Sequence, residues 1–180
     1  MKILDIIRGG QVPPLFKERD KFDSLIKVYA DESKTYIQDI TKFVNTDFCY
    51  DYRGGILKEG EYGGICGLRQ DRINKPKVIY IFNLRFWDII NDKDKDLKEY
   101  MRILPSIIPN PNHNNKSIIT QVLIHSDNIV GGGSHGCITV FPTEWKNFIS
   151  LFEINEKCKI NLIRDPRYKF NLDFNELSEG

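Results

Sequence analysis

Between residues 124 and 138 the chain reads Ile124-His125-Ser126, then Gly131-Gly132-Gly133, then Ser134-His135-Gly136-Cys137-Ile138. Two of the three histidines and one of the four cysteines fall in this stretch. A thiol with an ordinary pKa of about 8.5 is only a few per cent thiolate near neutrality, so it needs a base to act as a nucleophile. An imidazole within hydrogen-bond reach can take the proton, and the imidazolium so formed favours the thiolate. Gly136, directly before Cys137, lets the backbone turn sharply and bring N–H groups close to a bound carbonyl. Together these residue types point to covalent acyl chemistry. The same side chains are also metal-ligand types, but the spacing of His125, His135 and Cys137 fits no familiar closed zinc set. A thiol flanked by glycine is better explained as a nucleophile, so neither a metal nor a cofactor is expected.

The site must be held by strands. Gln121-Val122-Leu123-Ile124 reads as a short buried strand ending at His125, and Cys137-Ile138-Thr139-Val140 as another beginning at the thiol. Pro142-Thr143-Glu144 opens a helix running through Phe152, with proline and an acid in the first turn. Lys159 to Ile163 predicts a last strand. Upstream, Leu25 to Tyr29 and Tyr36 to Ile40 alternate as two arms of a hairpin about a turn at Asp31-Glu32-Ser33-Lys34. Val78 to Phe82 is a strong β run. The charge-rich segment Asn91 to Arg102 has helical spacing. Pro105, Pro109 and Pro111, with four asparagines among residues 110 to 115, predict a long loop. The expected fold is mainly β, with one or two short helices and the candidate site at strand ends.

At 180 residues the chain suits one domain. Gly9-Gly10 and Pro13-Pro14 predict an N-terminal arm over 1–20, followed by a domain over 21–165 and a polar tail over 166–180. The 26 basic residues balance 25 acidic ones, which leaves no electrostatic case for nucleic acid or an anionic membrane. Asp5 and Arg8 interrupt the first apolar run, so no signal peptide is read and synthesis in the cytoplasm is expected. No run reaches the ~18 apolar residues of a membrane span. The cysteines form no C-x-x-C pair, and Cys49, Cys66 and Cys158 read as small, partly buried hydrophobes. His113 reads as a surface residue.

The strand ending in His125, the glycine-bearing loop and Ser134-His135-Gly136-Cys137 followed by Ile138 resemble the L,D-transpeptidase catalytic domain of the YkuD type. The resemblance covers about residues 119 to 145. Upstream, Gly60-Glu61-Tyr62 is similar to the Gly-x-Tyr element that precedes the site in that family. Three departures mark a divergent branch: a short stretch between His125 and Ser134, Thr139 where arginine or asparagine is common, and Lys58 where a proline often stands.

The resemblance implies a β-sandwich or barrel in which Cys137 is the nucleophile and His125 its general base. His135 would orient the thiol or substrate, and Ser126 would assist the base. Backbone around Gly136 and Cys137 would stabilise the oxyanion. Ser134, Gly133, Tyr62 and Thr139 are the further candidates for oxyanion or substrate contacts. The implied substrate is the peptide stem of peptidoglycan, attacked at the L-centre of its diamino acid with loss of D-alanine. The short Ser126–Gly133 loop leads to the expectation that water competes well with amines for the thioester. Action in the periplasm or wall, without a readable signal, fits a delivered antibacterial effector, whose partners would include a delivery or immunity protein. The alternative is a non-catalytic module that binds wall peptides or a partner.

Overall fold

The structure is a computed structural model, and it describes residues 1–8, 24–33, 43–47, 55–90, 101, 103–126 and 136–164. The protein is mainly β. Its strands are β1 (Lys2–Arg8), β2 (Ser24–Tyr29), β3 (Phe43–Asp47), β4 (Gly60–Leu68), β5 (Lys77–Phe82), β6 (Leu104–Asn110), β7 (Lys116–Ile119), β8 (Leu123–Ser126), β9 (Ile138–Val140) and β10 (Lys157–Arg164). Helix α1 spans Pro142–Ile149. All but β6 and β7 close into a barrel in the order β1-β10-β4-β5-β8-β9-β3-β2. The β1–β10 and β8–β9 pairings are parallel and the other barrel pairings antiparallel.

A barrel of this size has an interior just wide enough for side chains to fill it. Leu4, Ile6, Ile26, Val28, Ile79, Ile81, Ile124, Ile138 and Val140 pack there, joined by Phe148 and Phe152 from α1 and its C-terminal turn. A smaller apolar cluster, built from Ile65, Val78, Phe82, Ile90, Met101 and Leu123, covers the outside of β4, β5 and β8. The two clusters follow from the period-2 alternation of strands. Odd and even residues of β8 and β9 therefore face different worlds: Ile124 and Ile138 enter the core, while His125 and Cys137 share the outer face.

Several expectations are corrected. The first regular element begins at Lys2, within the stretch expected to be an arm. Asp5 and Arg8, which interrupt its apolar run, are both buried. Asp5 accepts from the Asn161 amide at 2.9 Å. The Arg8 guanidinium reaches Glu59 Oε1 at 2.8 Å and the Leu57 carbonyl at 2.7 Å. The expected proline loop over 105–115 instead contains β6, paired with β7. Proline lacks only the donor: the Pro105 carbonyl still accepts from Lys58 N–H at 3.0 Å, and Ser106, Ile108 and Asn110 are buried on alternate positions. β2 pairs with β1 and β3; the expected strand at 36–40 and the helical segment at 91–100 lie outside the described residues.

Candidate active site

The register of β8 and β9 sets Cys137, just before β9, on the same sheet face as His125. Ile124 pairs with Ile138 and His125 with Thr139. One step back, Cys137 stands level with Leu123, so it lies diagonally across one strand spacing from His125 on the same face. Diagonal neighbours on adjacent strands are about 7–8 Å apart at the backbone, within reach of a long or aromatic side chain. Gly136 takes φ 115°, a conformation costly for any residue with a Cβ, and so turns the chain directly into the thiol.

Backbone groups of Gln121 and Leu123 are among the partners of the half-buried thiol. Leu123 N–H donates to Sγ at 3.5 Å, and the S–H donates to the Gln121 carbonyl at 3.7 Å. Burial raises the Cys137 pKa, while the Leu123 N–H opposes that shift by favouring the thiolate. His125 is held from the other side. Its Nδ1 lies 2.8 Å from the Ser126 carbonyl. A carbonyl can only accept, so Nδ1 carries the proton and Nε2 presents its lone pair. Burial lowers the His125 pKa, against the Ser126 carbonyl, which raises it; Arg69 and Arg72 add to the lowering. The resting pair is therefore a neutral thiol beside a neutral imidazole whose tautomer suits a general base.

His125 and Ser126 line a cleft of about 540 Å³ with Trp145 of α1 and the hairpin between β4 and β5. Trp145 also packs against the barrel core, which ties this wall to the rigid part of the fold. On the hairpin, Arg69 forks onto Asp71, with Nε–Oδ1 at 2.7 Å and Nη2–Oδ2 at 3.2 Å. Arg69, Arg72 and Lys77 all line the cleft. Sequence reading missed these cations because about fifty residues or more separate them from His125. Only the β5–β8 pairing brings them near. The available signal was a dense charged turn, Arg69-Gln70-Asp71-Arg72, between two apolar strands.

Of the other candidate residues, Gly133, Ser134 and His135 lie outside the described residues, as does the rest of the loop expected to admit water. Tyr62 does not join the site. It is buried, and its hydroxyl donates to the Lys58 carbonyl at 2.5 Å; it lines a different cavity, with Trp87 and Lys159. An even position on β4 faces inward, which is why it cannot reach the outer face. Thr139 stands level with His125 but is only 1% exposed, so it offers no open contact to a substrate. Cys66 and Cys158 are buried, as expected, and Cys49 lies outside the described residues. His113 is half-buried, with Nε2 3.2 Å from Thr120 Oγ1. Compared with protein-family models, with curated proteins and with solved structures, the chain finds no match in any of the three.

Proposed function

We propose that the protein is a cysteine-dependent acyltransferase or hydrolase of peptidoglycan stem peptides, an L,D-transpeptidase or L,D-carboxypeptidase. The observation that carries this reading is the placement of Cys137 and His125 on one sheet face, with His125 Nδ1 engaged by the Ser126 carbonyl. In this reading the thiol turns away from the Gln121 carbonyl to give its proton to His125 Nε2. As Sγ attacks the carbonyl carbon at the L-centre, Nε2 takes the proton. Collapse of the tetrahedral intermediate breaks the C–N bond, and the imidazolium returns that proton to the departing D-alanine amine. A thioester on Cys137 remains. An amine acceptor gives cross-linking or amino-acid exchange, and water gives a shortened stem.

The test is incubation with purified tetrapeptide muropeptides, with and without a free D-amino acid, followed by mass analysis. Loss of the terminal D-alanine, its exchange, or formation of dimers is expected from the natural chain, and none of them from Cys137→Ala. Turnover by Cys137→Ala would sink the covalent mechanism. No turnover by the natural chain, with stem peptides still bound, would favour a binding module.

A further inference from the structure

The cleft beside His125 has an unequal charge. Arg69, Arg72 and Lys77 line it against one carboxylate, Asp71, and that carboxylate is already clasped by Arg69. The Lys77 ammonium donates to the Phe152 carbonyl. Arg72 is exposed on the same turn. Trp145 and Val78 add apolar surface to the same lining. A groove with walls of low polarity concentrates the field of its charges and draws in ligands of opposite sign. Guanidinium groups match the planar geometry of a carboxylate.

We infer that the β4–β5 hairpin forms a carboxylate-binding subsite, centred on Arg72 with Arg69 and Lys77 behind it, that selects acyl donors carrying a free carboxylate near the scissile carbonyl. This deepens the function proposed above and rests on it for the identity of the donor. A stem peptide has two such groups: the carboxylate of its terminal D-alanine and the side-chain carboxylate of a diamino dicarboxylic acid. Either satisfies the charge of the hairpin. Arg72 is then a specificity determinant, outside the proton transfers at Cys137.

Two experiments separate the subsite from the activity. The first needs no stem peptide. The Cys137 thiolate attacks an aryl disulfide, one S–S bond breaks, and an arylthiolate leaves; the reagent is either the dianionic dithiobis(nitrobenzoate) or the uncharged dithiodipyridine. With Cys137→Ala as the blank, the ratio of anionic to neutral rates should fall about fivefold in Arg72→Gln at low salt, and Arg72→Lys should restore most of it. An unchanged ratio in the folded variant overturns the subsite. The second compares a tetrapeptide, its C-terminal amide and a stem amidated on the diamino acid. Arg72→Gln should raise KM about tenfold for donors that keep the recognised carboxylate, with kcat nearly unchanged, and leave the matching amide unaffected. Equal losses for all three substrates overturn it as well. If the natural chain turns over none of them, the proposed activity fails, and the disulfide-exchange ratio still decides the subsite.

Discussion

His125 and Cys137 rest in their uncharged forms, and that has consequences in acid. Burial holds the His125 imidazole below its ordinary 6.5 and the Cys137 thiol above its ordinary value. A base must be neutral to accept a proton, so kcat/KM on stem peptides should fall with an acid limb centred below pH 6.5. A limb at or above 6.5 would contradict the described environment. Stability has the same sign. Above pH 6.5 the imidazole is neutral in both folded and unfolded chains. As pH drops, the unfolded chain binds the proton first, and the His125 contribution is lost as pH falls through its folded pKa. The stability difference between the natural chain and His125→Gln, followed by urea unfolding, should therefore shift against the natural chain between neutral pH and about pH 4.5. A difference independent of pH would mean that the ring is not desolvated.

Among the elements, β4 is built around close approach. A Cβ on Gly63 would stand 2.4 Å from the Phe82 ring, and Phe82 is fully buried against Trp87, their centroids 5.8 Å apart. Gly63→Ala should therefore cost about 1–3 kcal/mol in urea unfolding, because the ring has nowhere to retreat. A loss under about 0.5 kcal/mol, the range of ordinary surface substitutions, would show that the outer cluster yields freely. The same strands show what a sequence makes legible. Apolar runs such as Val78 to Phe82 declare themselves, and His125 and Cys137 sit at the ends of two of them. Strand β1 was hidden because Asp5 and Arg8 find partners from β10 and from residues 57–59. Strand β6 was hidden because proline composition does not reveal which backbone groups a ladder needs. The cationic wall was invisible for a third reason: its charges meet His125 only after β5 and β8 pair.

For the whole molecule, barrel closure depends on β1, which lies between β10 and β2. Removing residues 1–8 would strip β10 and β2 of their shared partner, leave two unpaired edges and expose the interior held by Leu4 and Ile6. Such a chain should show no cooperative thermal transition, and circular dichroism melting would decide it; a sharp transition near that of the natural chain would mean that the barrel can reseal. The parallel β1–β10 seam also sets an order of events during synthesis. Asp5 and its partner Asn161 are 156 residues apart in the chain. Until β10 emerges from the ribosome β1 can pair only with β2, and its other edge stays open. Closure of the barrel therefore waits until β10 has been made. Contacts spanning so long a loop pay their entropy late, which places this protein among the slow folders and gives the nascent chain a prolonged period with an open, sticky edge.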